Sequence, residues 1–76
     1  MKVTVKLFAY LRKGRFKASD MEFREGTTVL QILDALAIAA DERNIGILFL
    51  NGKHAEYSSV LKEGDVLSIF PPVAGG

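Results

Sequence analysis

The chain contains no cysteine. That excludes a disulfide framework, a thiol nucleophile and a cysteine-based zinc site. Histidine is nearly absent too: His54 is the single one, with Glu56 two residues on. One imidazole and one carboxylate fall short of a metal ligand set, so His54 reads as a solvated residue after a turn and no metal is expected. Charge is almost balanced at +1. Without a broad basic footprint, nucleic acid is not an expected partner. No apolar run approaches the roughly 20 residues that span a bilayer. The N-terminus alternates polar and apolar residues, unlike the apolar stretch of a signal peptide. A soluble, cytoplasmic protein is therefore expected, with no membrane partner. The glycines at 14, 26, 46, 52 and 64 mark turns. They do not space as a phosphate-binding loop, so the chain is not expected to bind ATP. Ser58-Ser59 has no base set beside it by any motif, and its economical role is capping a short turn.

What is present fits one small domain. The 76 residues are 49% hydrophobic, enough for a core, although a domain this small buries only about 60% of its unfolded surface. Lys2 to Phe8 alternates strictly, the mark of a half-buried strand. Val3, Val5 and Leu7 then face the core, and Lys2, Thr4, Lys6 and Phe8 face out. A polar turn with Arg12, Lys13, Gly14 and Arg15 leads to a second strand, Ala18 to Phe23, with Met21 and Phe23 inward. Arg12, Lys13 and Arg15 read as a solvated loop cluster; Arg12 is the one to test as a partner contact.

Thr28 and Gln31 form a capping-box pattern. Val29, Ile32, Leu33, Leu36 and Ala40 follow as one apolar helical stripe, up to the polar break Asp41-Glu42-Arg43-Asn44. Ile47 to Leu50 reads as a short strand, and Asn51-Gly52 as a hairpin turn. A weak strand at Lys53 to Ala55 is expected, then one helical turn at Ser58 to Leu61. The last strand, Val66 to Phe70, places Leu67 and Ile69 inward and Val66, Ser68 and Phe70 outward. Pro71 and Pro72, the only prolines, end it because neither can donate a ladder hydrogen bond.

The expected fold is α+β: a mixed sheet of four to five strands with one main helix packed on one face. With the first and last strands side by side at the centre, this is a β-grasp, or ubiquitin-like, arrangement. Residues 1–70 form the domain and 71–76 an extended tail. Neighbouring first and last strands would bring Phe8 and Phe70 into one exposed apolar patch, with Phe49 facing out beside them. Such a patch marks a partner site.

The tail carries the chemistry. Gly75-Gly76 at its end is thin and conformationally free, suited to threading a channel and offering a carboxylate. The bland alternative is a frayed terminus. The six residues from Pro71 extend roughly 20 Å at about 3.3 Å each. The prolines fix φ and disfavour compact conformations before them.

These residues resemble the MoaD/ThiS sulfur-carrier family, and its MoaD branch most. The resemblance rests on Val5 to Arg12, on Leu50-Asn51-Gly52-Lys53, on Leu61 to Val66, and above all on Phe70-Pro71-Pro72-Val73-Ala74-Gly75-Gly76. The stretch from Ile38 to Gly46 is shorter than in the familiar MoaD, which leaves room for a related carrier with another client pathway. The resemblance implies that Gly76 is adenylated and becomes a thiocarboxylate, with Gly75 beside it as part of the reactive end. It implies partner contacts at Phe8, Arg12, Phe49, Phe70, Pro71, Pro72, Val73 and Ala74. It also implies three partners: a ubiquitin-activating-type adenylating enzyme that uses the ATP, a MoaE-like large subunit of molybdopterin synthase, and a cysteine desulfurase or rhodanese as sulfur donor. No cofactor would be bound by this chain, which would act as a non-catalytic small subunit. A ThiS-like or tRNA-thiolation carrier, a tungsten-cofactor variant, a ubiquitin-like modifier joined through Gly76 to lysine, and a plain interaction module are the alternatives.

Overall fold

A computed structural model describes residues 1–38 and 47–71. Strand β1 is Lys2–Leu7, β2 is Ala18–Glu22, helix α1 is Val29–Ala35, β3 is Ile47–Leu50, β4 is Lys53–His54 and β5 is Val66–Phe70. A short 3₁₀ turn, Ala9–Arg12, separates β1 from β2. The strands form one mixed sheet in the order β2-β1-β5-β3-β4. β1 and β5 are parallel neighbours at its centre, paired from Thr4 with Val66 to Leu7 with Ile69. All other pairs are antiparallel.

Strand alternation sets the two faces. Val3, Val5, Leu7, Leu48, Leu67 and Ile69 point inward and are buried with Val29, Ile32 and Leu33 of α1 and with Leu11, Ile38 and Leu61. α1 thus covers one face of the sheet. Its start follows the capping box: Gln31 N–H donates to Thr28 Oγ1 at 3.3 Å, and Thr28 N–H donates to Gln31 Oε1 at 2.9 Å.

The end of α1 comes earlier than the apolar stripe implies. Leu36 is the C-cap, and Ala37 is left-handed at φ 56°. Ala37 N–H donates to Asp34 O, and Ile38 N–H to Leu33 O. These two bonds make a Schellman motif with alanine where glycine is usual. Ile38 turns back into the core, which a continued helix would not allow; Ala40, the last residue of the stripe, lies outside the described residues. Arg15 is not solvated either. Its guanidinium donates to Leu11 O, Leu36 O and Ala37 O, so it ties the β1–β2 connection to the carbonyl end of α1.

Two further expectations are corrected. The β1–β2 connection is not a simple polar turn, because Leu11 in the 3₁₀ turn is buried. Ser58 to Leu61 is not helical: Val60 pairs with Thr28, and Val29 N–H donates to Ser59 O. Ser59 Oγ accepts from Glu56 N–H at 2.9 Å, so the hydroxyl holds a turn. The Asn51-Gly52 hairpin has both φ values positive, 53° and 81°, as a type I′ turn requires. Asn51 also clamps β5, accepting from Val66 N–H at 2.8 Å and donating to Asp65 Oδ1 at 2.9 Å.

Candidate docking face

The sheet face opposite α1 has no second layer among the described residues. Register decides what stands on it. Phe8 directly follows β1, and its N–H still reaches Ile69 O at 3.2 Å, so parallel pairing carries one residue past the strand. Phe8 is thereby set beside Phe70, the last residue of β5. The two rings stack with centroids 4.1 Å apart and planes 14° from parallel. β3 lies on the other side of β5, with Ile47 opposite Phe70 and Phe49 opposite Ser68. Phe49 meets Phe70 edge-on at 5.8 Å and 87°. Across the hairpin, His54 pairs with Phe49, and its ring lies 4.7 Å from the phenyl ring.

The near end of this row is fixed by the chain itself. Ala9 takes a left-handed φ of 52°, which swings the 3₁₀ turn back beside Phe8. Leu11 anchors that turn in the core. Arg12 then folds over Phe8, its Cζ 5.5 Å from the ring centroid, within cation–π range. Its Nε–H donates to Leu7 O at 2.8 Å, holding the guanidinium plane in place. Five side chains, three from strands, one from the residue after β1 and one from the 3₁₀ turn, thus form a continuous row: Arg12, Phe8, Phe70, Phe49 and His54. The three phenylalanines remain half-buried, and Ile47 beside them is 39% exposed. Contiguous apolar surface of this kind fits a partner site, since aromatic anchors dominate protein interfaces.

The structure therefore brings together Phe8, Arg12, Phe49 and Phe70. Pro71 follows at the end of β5 and is itself buried in the free chain. Pro72, Val73, Ala74, Gly75 and Gly76 lie outside the described residues. His54 was not expected on the face. Its place follows from the Asn51-Gly52 turn, because a two-residue loop pairs 50 with 53 and 49 with 54. Ile47 joins the face as well, and a strand apolar on both faces does not announce which residues stay open. Among the described residues, no group of three or more histidine, cysteine or carboxylate side chains is placed to hold a metal.

A half-open aromatic row on one face of a five-stranded sheet, with a helix on the other, defines a ubiquitin-like β-grasp protein. The family itself is given by the sequence: the ThiS family model matches residues 5–76, and the chain belongs to that family. Its solved neighbours include SAMP1 of Haloferax volcanii, 29% identical over 100% of both chains with a TM-score of 0.79. A Pyrococcus furiosus protein described as molybdopterin converting factor subunit 1 is 26% identical, over 96% of this chain and 99% of its own, with a TM-score of 0.76. The Amycolatopsis orientalis BexX/CysO complex matches at 26% identity, over 97% of this chain and 99% of that one, with a TM-score of 0.67. No curated protein matches the sequence. The chain is thus a member of a ubiquitin-like family of sulfur carriers and modifiers, and a neighbour seen in complex supports a protein partner in general.

Proposed function

We propose that this protein is a sulfur carrier that supplies the sulfur of molybdopterin, working as the small, non-catalytic subunit of a molybdopterin-synthase-type complex. The observation that carries this reading is the Phe8–Phe70 stack, set where β5 hands over to the residues that lead to Gly75-Gly76. A docking face there lets a partner grip the body while the tail reaches its reaction centre. The similarity to the Pyrococcus furiosus molybdopterin converting factor subunit favours the pterin pathway.

The chemistry begins with a carboxylate that is ionised at neutral pH, with a pKa near 3.5, and is a poor electrophile. An adenylating enzyme of the ubiquitin-activating type would join a Gly76 oxygen to the α-phosphorus of ATP and release pyrophosphate. A persulfide from a cysteine desulfurase or rhodanese would attack the acyl carbon, and AMP would leave with the C–O bonding electrons. A thiol would then cleave the S–S bond, leaving the thiocarboxylate on Gly76. A MoaE-like large subunit would receive that sulfur. This chain contributes the docking face and the threaded tail, and ATP stays with the partner.

Intact-mass spectrometry of protein from its native host, without reductant or a C-terminal tag, tests the carrier reading. The expected result is a mass gain equal to one oxygen exchanged for sulfur, mapped to Gly76. Where hydrolysis has removed the sulfur, the same gain is expected after incubation with ATP, the adenylating enzyme and a sulfur donor. Continued absence of the gain, with an enzyme competent on a known carrier, overturns the reading. Conversion of a pterin precursor by the large subunit then tests the pathway. The resemblance to SAMP1, small archaeal modifier protein 1, favours a second reading as a protein modifier. It predicts slower-migrating conjugates in host extracts that disappear when Gly76 is deleted.

A further inference from the structure

The aromatic row ends, on the β1–β2 side, in a groove of about 340 Å³ lined by Lys6, Phe8, Arg12, Lys17 and Ala18. Three of its five lining residues are cations and none is a carboxylate. Lys6 stands on the outer face of β1, between Ser68 of β5 and Ala18 of β2. Lys17 enters β2 just before Ala18, and Arg12 leans in from the 3₁₀ turn. Among the described residues, none of these three side chains has a carboxylate partner. The nearest acidic neighbour in the sheet register, Asp20, lies opposite Thr4, and its Oδ1 accepts from Thr4 Oγ1 at 2.7 Å. Glu22 lies further along β2, opposite Lys2, and forms an ion pair with the Met1 amine at 3.6 Å. Both carboxylates are occupied away from the groove.

Gathering like charges around one apolar ring costs the free protein stability through mutual repulsion. The arrangement makes physical sense when an anion is brought from outside. Arg12 is prepared for that role. Its Nε is already used by Leu7 O, which orients the guanidinium, and its two Nη groups have no partner among the described residues. An oriented guanidinium with both Nη groups to offer matches the planar, two-oxygen geometry of a carboxylate.

We propose that this groove seats an aspartate or glutamate side chain of the partner protein, held by Arg12, Lys6 and Lys17, next to an apolar residue of the same partner resting on the Phe8–Phe70 stack. The partner surface is thus an apolar patch rimmed by carboxylates. This rests on the reading of the aromatic row as the docking face. It adds the chemistry that sets orientation and encounter rate, which complementary charge supplies more than it supplies raw affinity.

The test uses the full chain and the host's adenylating enzyme. Binding is measured by titration calorimetry for wild type, for Lys6→Glu/Lys17→Glu and for Lys53→Glu on the opposite edge strand. Neither Lys6 nor Lys17 makes a side-chain hydrogen bond among the described residues, and thermal melting confirms that the double variant folds. Should it fail to fold, Lys6→Gln/Lys17→Gln replaces it. The double variant is expected to bind about tenfold or more weakly and to lose most of the salt dependence of the wild type; Lys53→Glu is expected to bind like wild type. Carbodiimide coupling of the wild-type complex should join Lys6 or Lys17 to an acidic partner residue. Wild-type affinity in the charge-reversed protein, or equal weakening by Lys53→Glu, overturns the proposal while leaving the carrier reading intact. If wild-type protein neither binds the enzyme nor is modified at Gly76, the carrier reading falls and the proposal with it.

Discussion

Two alanines in this chain stand where glycine would be cheaper. Ala9 and Ala37 both have left-handed φ values, 52° and 56°, which cost an L-residue roughly 1–2 kcal/mol. Ala9→Gly relieves that strain but loosens the unfolded chain, which offsets about 0.4–1 kcal/mol. Chemical denaturation should show a change between neutral and about 1 kcal/mol stabilising. Ala9→Val should destabilise, because a β-branched residue resists this region. The left-handed turn at Ala9 brings Arg12 over Phe8, and glycine adopts that turn readily, so Ala9→Gly should leave partner binding near wild type. Phe70→Ala belongs to the same scale. It should reduce partner affinity by about 2 kcal/mol. It also removes a stacked and an edge-on ring contact, each worth roughly 0.5–1.5 kcal/mol beyond burial. A measurable loss of stability should therefore accompany the loss of binding, read by denaturant titration alongside calorimetry.

Elements show what a one-dimensional pattern reveals and what it hides. Alternation in β1 and β5 told inward from outward residues, because a strand's side-chain period is two. The same alternation places Phe8 and Phe70 outward, and the shared register stacks them. α1 was harder. Leu36, Ala37, Ile38 and Ala40 continue a plausible helix, and nothing local stops it. The stop is tertiary: Ile38 is drawn into the core, and Arg15, 21 and 22 residues away in sequence, caps the carbonyls of Leu36 and Ala37. A basic residue in a glycine-containing turn carries no local sign of that task. Ala37→Gly fits the C′ position of the motif and should raise stability by about 0.5–1 kcal/mol. Arg15→Ala should lower it by about 1–3 kcal/mol, since charged donors to three carbonyls are lost. Thermal melts of the two variants should move in opposite directions.

On the carrier reading, the whole molecule divides its labour between a body and an end. The body's centre is the β1–β5 pair, flanked on both sides, and its weakest margin is the two-residue β4. Amide exchange should be slowest at Val5, Leu7, Leu67 and Ile69, where the backbone is both paired and buried, and fastest at Lys53 and His54. Deleting Gly76 should leave that exchange pattern and the melting temperature unchanged while abolishing sulfur transfer. Transfer retained after the deletion would refute a thiocarboxylate mechanism. The proposed reactive end rests on the sequence and the family resemblance alone, through Pro71, Pro72, Gly75 and Gly76. The place of His54 was not legible in the sequence, since it depends on a cross-strand partner five residues earlier.

The parallel pairing of β1 with β5 also has a mechanical side. A partner that draws the chain beyond Pro71 into a narrow channel pulls on β5 along its own axis. Because β5 is hydrogen-bonded to β1 on one flank and β3 on the other, that load falls in shear on both ladders together. Peeling would break the bonds one at a time; shear requires them to yield as a set. On the carrier reading, the domain would serve as an anchor for a taut tether, bearing a pull at its end while its own fold stays closed.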